Sequence, residues 1–261
     1  MDRRGRLSNL ANGRFVNDTG ASFDIQTDAD FSGGFFDNKG SLVKSIGAAE
    51  SAEKTNISAE FTNTGTVDVQ KGELNASGAI SQQGTIRIAE NAVFSAQDLI
   101  NQGLVTGEGA LKMTSNNAFV NDGRVAPGDG VGELTVDGDF AQTNSGVFEV
   151  TLAGTGAGEF DVMTVLGDFT LDGVIEVSLD NGFIPDLNDT FTILTATGNW
   201  LDNTKFDSIV SVTNPGIQFS AIYGADFVKL GVSQVPVPAA VWLFGSALIG
   251  LVGVSRRKMV I

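Results

Sequence analysis

The chain has 261 residues, of which 42% are hydrophobic and 18% charged, so it can bury a sizeable core and is not disordered by composition. It contains no cysteine and no histidine, which excludes disulfides, thiolate nucleophiles, histidine-based triads and zinc sites of the usual kinds. Its formal charge is −15, and residues 125–204 hold 14 Asp or Glu without one Lys or Arg, a surface that repels a phosphate backbone and excludes nucleic acid as a partner.

At the N-terminus Met1-Asp-Arg-Arg-Gly-Arg6 is basic, but residues 7–19 contain no apolar run of the kind an export signal needs. The expectation is a start that lacks an upstream signal peptide and further coils. The 33 glycines against 5 prolines exclude collagen and point to tight turns between short strands.

The strongest internal signal follows. Phe61-Thr-Asn63-Thr-Gly65-Thr-Val67, Ile80-Ser-Gln82-Gln-Gly84-Thr-Ile86, Leu99-Ile-Asn101-Gln-Gly103-Leu-Val105 and Phe119-Val-Asn121-Asp-Gly123-Arg-Val125 share one pattern: apolar, any, amide, any, glycine, any, apolar. Their glycines are 19, 19 and 20 residues apart. Phe36-Asp-Asn38-Lys-Gly40-Ser-Leu42 is a looser copy, and the stretch from Phe15 to Gly20 is another with one residue inserted. A second apolar cluster lies about ten residues on, at Leu74, Phe94, Leu111 and Leu134.

A period near 20 with two short strands per repeat predicts an all-β fold, a right-handed parallel β-solenoid of about 19–20 residues per coil. Stacked about 4.8 Å apart, coils too short to bury their own apolar residues bury one another's. In this reading Gly65, Gly84, Gly103 and Gly123 supply the positive φ of a corner, and Asn63, Gln82, Asn101 and Asn121 stack as an amide ladder. A series of hairpins with Asn-Gly-like turns is the competing reading.

After about Gly138 the alternation lengthens, as in Val147-Phe-Glu-Val-Thr-Leu152 and Val174-Ile-Glu-Val-Ser-Leu179. Residues 1–138 are therefore read as coils and residues 139–232 as a continuing β-rich region. Asp137 and Asp139, or Asp161 and Asp168, are carboxylate pairs such as a glycosidase uses, but no spacing singles them out from acidic turns, and no catalytic residue is assigned. The acidic surface reads as solubilising, with weak calcium binding as the sharper alternative.

Two runs here carry a family likeness. One is Gly158-Glu-Phe-Asp-Val-Met-Thr-Val165, with Gly167-Asp-Phe-Thr-Leu171 and Gly182-Phe-Ile-Pro185 after it; the other is Asn121-Asp-Gly-Arg-Val-Ala-Pro-Gly128, with Gly132-Glu-Leu-Thr-Val136 after it. Both resemble autotransporter-passenger and related bacterial surface β-helix proteins, over residues 61–195. The resemblance implies architecture and not activity.

The tail is the most specific element. Val235-Pro236-Val237-Pro238 precedes 16 uncharged residues, 239–254, and Arg256-Arg257-Lys258 follows. Residues 237–255 are long enough for one membrane-spanning helix, with the basic trio inside and the rest of the chain outside. Residues 233–258 closely resemble the PEP-CTERM protein-sorting signal of Gram-negative bacteria, with valine where the commonest form has glutamate. The resemblance implies export, recognition by an exosortase-type enzyme, removal of the tail, and transfer to the cell surface or exopolysaccharide matrix. The expected function is thus a structural or adhesive surface protein and not an enzyme. A carbohydrate-binding module, for which Trp200 and Tyr223 are the available aromatics besides phenylalanines, is the alternative, and a β-helix polysaccharide-degrading enzyme is a more distant one.

Overall fold

The computed structural model describes residues 7–8, 13–46 and 54–233, all of them strand, turn or loop with no helix. The chain winds as a parallel β-solenoid of about six turns. Each coil contributes to three sheets in turn. In one coil Glu60–Asn63 lies in the first sheet, Thr66–Val69 in the second and Gly72–Ala76 in the third, and Ile80–Gln82 returns to the first. Each strand pairs in parallel with the coils above and below, as Phe61 does with Ile80, Val67 with Ile86 and Leu74 with Phe94.

The repeat therefore holds three strands, not the two its apolar clusters suggest. The seven-residue motif straddles a corner: its first apolar residue and amide end one strand, the glycine turns the chain, and its last apolar residue opens the next. Alternation then puts one apolar column on each inner face. Phe61, Leu99, Phe119, Phe140 and Phe169 line one wall; Val67, Ile86, Val105, Val125 and Phe148 line the next; Leu74, Phe94 and Leu111 line the third. The column continues from Leu111 to Val136, while Leu134 lies opposite Met163 in the following coil.

The repeat glycines do not have the expected positive φ. Gly65, Gly84, Gly103 and Gly123 are absent from the left-handed residues, which at the next corner of these coils are Gly72, Asn91, Gly107, and Gly128 with Gly130. What requires glycine is proximity. A Cβ on Gly103 would press into the Gly84 carbonyl oxygen, one on Gly84 into that of Gly65, and one on Gly65 into that of Gly40. The residue after each glycine donates its N–H to the same carbonyl of the coil before: Thr85 to Gly65 at 2.8 Å, Leu104 to Gly84 at 2.9 Å and Arg124 to Gly103 at 2.8 Å.

The sheets run through residues 138–139 without a break. Phe140 pairs with Phe119 and Phe169 with Phe140, and the change of pattern there reflects longer second-sheet strands, six residues in Val147–Leu152 and Val174–Leu179 against four in Arg124–Pro127. The winding ends in an antiparallel cap. Phe227–Ser233 lies against Thr190–Ala196, and Gln218–Tyr223 lies against Phe227–Ser233. Ser208–Ser211 closes the second sheet.

Gly103→Ala is expected to destabilise the rod by about 1–3 kcal/mol, because backbone cannot move aside for the added methyl. Gly216→Ala, in an exposed turn where the nearest atom is the Asn214 side-chain oxygen at 3.3 Å, should shift the urea midpoint far less. Equal shifts would rule out close coil contact as the reason for the glycines.

Candidate functional site

The amides picked out by the repeat share one interior edge. Asn63 Nδ2 donates to Gln82 Oε1 at 2.7 Å, Asn101 Nδ2 to Asn121 Oδ1 at 2.9 Å, and Asn121 Nδ2 to Gln142 Oε1 at 3.2 Å. The looser copies join it, Asn17 donating to Asn38 and Asn38 to Asn63, both at 2.8 Å. The same nitrogens bond a backbone carbonyl of the next coil, as Asn101 does with Arg124 at 2.9 Å. All seven amides are at most 4% exposed. Their strand-end position explains this. The side chain points inward where the corner leaves carbonyls that no sheet can satisfy.

The column has one gap. Gln82, longer by a methylene, turns its Nε2 onto the Gly84 carbonyl at 2.8 Å, and the Asn101 side-chain oxygen accepts instead from Gly103 N–H at 3.1 Å. Gln82 and Asn101 are paired through backbone register without a side-chain bond between them.

A second polar column was not read from the sequence. Asp30 accepts from Asn56 Nδ2 at 2.9 Å, Asn75 Nδ2 donates to Asn56 at 2.8 Å, and Ser95 Oγ donates to Asn75 at 3.1 Å. Asn56, Asn75 and Ser95 each lie late in a third-sheet strand, and Asp30 sits just before the strand Phe31–Ser32. Lys44 is wholly buried, its Nζ donating to the Thr27 carbonyl and to Asp28, each at 2.9 Å. Among the described residues every buried side-chain nitrogen or oxygen has a hydrogen-bond partner.

The carboxylate pairs are separated by their bonding. Asp137 forms an ion pair with Lys112 at 3.3 Å. Asp139 accepts from the Asp168 backbone N–H at 2.8 Å, and Asp168 from the Asn199 N–H at 2.7 Å, so each tethers the start of the next coil. This column follows Gly138-Asp139-Phe140, Gly167-Asp168-Phe169 and Gly198-Asn199-Trp200, a repeat in the sequence that could have revealed it. Asp161, 1% exposed, accepts from Gly132 N–H at 2.8 Å and Thr151 N–H at 2.7 Å. Burial pushes its carboxyl up to about 7, outweighing those two donors, and Glu149 adds to the rise. Arg124 bridges Glu149 and Glu176 on the outer face of the second sheet.

Glu90, Glu108 and Glu133 line an open groove of about 480 Å³. Among the described residues no three acidic, histidine or cysteine side chains converge to hold a metal ion. Trp200 and Tyr223 stack on each other, ring centroids 5.2 Å apart, with Lys205 over Tyr223, so their shared face is closed to a sugar ring. The tail motif Val235, Pro236, Val237, Pro238, Arg256, Arg257 and Lys258, with the helix expected at 237–255, lies outside the described residues. Among those residues no helix is long and apolar enough to cross a membrane. No protein-family model matches the chain, and no curated protein matches it.

Two measurements test this site. Asn101→Leu should leave the Asn121 oxygen, the Arg124 carbonyl and the Gly103 N–H without their partner, at about 1–3 kcal/mol for each group orphaned. An unchanged melting temperature would contradict an interior ladder. Asp161 holds its proton more tightly folded than unfolded, its ordinary value being 3.8, so its contribution to stability falls as pH rises from about 4 to about 7. Asp161→Asn should remove that component of the pH dependence, seen as a flatter stability profile than the parent protein's over the same range.

Proposed function

We propose that the chain is an exported structural or adhesive protein of the Gram-negative cell surface or exopolysaccharide matrix, sorted through its C-terminal tail. One observation carries the reading. Val235-Pro236-Val237-Pro238, an uncharged stretch and Arg256-Arg257-Lys258 occur in that order at the end of the chain. That order supports a membrane-spanning helix at 237–255 during transit, an exosortase-type processing enzyme as partner, and removal of the tail near residues 235–238. A right-handed winding, the hand that parallel crossovers take, completes the architecture.

The rod supports a non-catalytic role for a physical reason. The carboxylate pairs noted in the sequence, Asp137 with Asp139 and Asp161 with Asp168, are each engaged by a cation or backbone N–H. Contact with exopolysaccharide then falls to the flat outer faces of the sheets, where hydroxyls such as Ser81 are exposed.

The test is export. The chain is placed behind a secretion signal in a Gram-negative host that carries an exosortase-type enzyme, with one epitope before Val235 and a second tag after Ile261. The first epitope should reach the surface or matrix and the second should be lost, while deletion of residues 235–261 should release the protein to the medium. A full-length product held in the cell with both tags intact would refute the sorting function.

A further inference from the structure

Four stretches of the chain read Asn-x-Ser or Asn-x-Thr with no proline between: Asn17-Asp-Thr19, Asn56-Ile-Ser58, Asn75-Ala-Ser77 and Asn188-Asp-Thr190. That triplet is the acceptor sequence for N-linked sugar on the surface of secreted proteins. Transfer joins the asparagine amide to the reducing carbon of a glycan. It needs a side-chain nitrogen that the fold has not already engaged, and room for a bulky, hydrated substituent.

The solenoid withholds the first three of these asparagines. Asn17 is 4% exposed, and its Nδ2 donates to Asn38 at 2.8 Å inside the amide column. Asn75 Nδ2 donates to Asn56 at 2.8 Å, and Asn56 Nδ2 donates to Asp30 at 2.9 Å, in the third-sheet column. A glycan on any of them would break a column bond and part the coils.

Asn188 differs on each count. It lies in the turn that leads into Thr190–Ala196. The Asp189 N–H donates to the Asp186 carbonyl at 3.1 Å, and the Asp186 N–H donates to Asp189 Oδ2 at 2.8 Å. These two bonds close the turn and leave Leu187 and Asn188 at its tip. Asn188 has φ 77°, the left-handed backbone that asparagine tolerates in turns. Asn188 and Thr190 are both exposed, and among the described residues no hydrogen bond engages the Asn188 side chain. The same stretch exposes apolar surface, Ile184 at 69% and Leu187 at 49%. A hydrated glycan on Asn188 would cover apolar surface that otherwise favours association.

We propose that Asn188 is an N-glycosylation site. The co-reactant is a saccharide carried on a lipid pyrophosphate, and the catalyst is an oligosaccharyltransferase. The bond from Asn188 Nδ2 to the sugar C1 forms as the C1–O bond breaks. The lipid pyrophosphate leaves with that electron pair, and one amide proton passes to a base of the transferase. Nothing is oxidised or reduced. Occupancy in the cell rests on the proposed export, since N-linked transfer belongs to secreted chains. The choice of Asn188 over Asn17, Asn56 and Asn75 rests on the fold.

The test uses the folded full-length protein in detergent micelles. It is incubated with a purified bacterial oligosaccharyltransferase and its lipid-pyrophosphate-linked glycan, beside a standard acceptor peptide that reports enzyme activity. The intact mass should rise by a single glycan. Asn188→Gln should lose the added mass, and so should Thr190→Ala, which keeps the asparagine but breaks the triplet. An unmodified parent protein beside a modified peptide would overturn the assignment. So would added mass that survives either substitution, because the sugar would then stand elsewhere. Purified components involve no export, so failure of the site and failure of the sorting function are seen separately.

Discussion

Where Gly103 passes over the Gly84 carbonyl, two coils meet backbone to backbone, and the rest of the rod is built around that approach. Strands can hydrogen-bond to the coil above and below only at the spacing that this contact allows. Any side chain at the corner would hold the coils apart and open three sheets at once. With the spacing set, an apolar residue in one coil lands on its counterpart in the next, and Phe61, Val67 and Leu74 bury what none could bury within a single coil.

The corner that brings backbones together also strands polar groups inside. The amide column answers this need locally, each side chain bonding both a neighbouring amide and a carbonyl of the next coil. Asp139 and Asp168 serve the same purpose at a different corner, with a carboxylate receiving the N–H of the residue one coil on. The acidic stretch that suggests cation binding in the sequence is thus partly architectural. Its carboxylates accept bonds from the chain itself.

Much of this was legible in the sequence because stacking translates register into spacing. Asn63, Gln82, Asn101 and Asn121 recur at nearly constant intervals, and their position in a parallel solenoid with an interior ladder follows from that interval. The number of sheets was not legible, since the middle strand begins directly after the glycine and its Val67 or Ile86 reads as the end of the motif. The reason for glycine was also hidden. A residue chosen for contact with a carbonyl and one chosen for left-handed backbone leave the same letter. The column through Asp30, Asn56, Asn75 and Ser95 uses four positions of three residue types, so no single letter runs through it. The tail motif lies in the sequence alone.

Coils held this way respond to force in a particular manner. The strands lie across the axis of the rod, so a pull along it loads each layer of bonds edge-on and separates one coil at a time. A coil adds about 4.8 Å to the rod. Released, its 19 or so residues extend to about 65 Å of chain. A protein tethered at one end would therefore yield in steps, each lengthening the tether more than tenfold relative to the layer it consumed, and Gln82, which makes no side-chain bond to Asn101, marks a layer that the amide column does not reinforce.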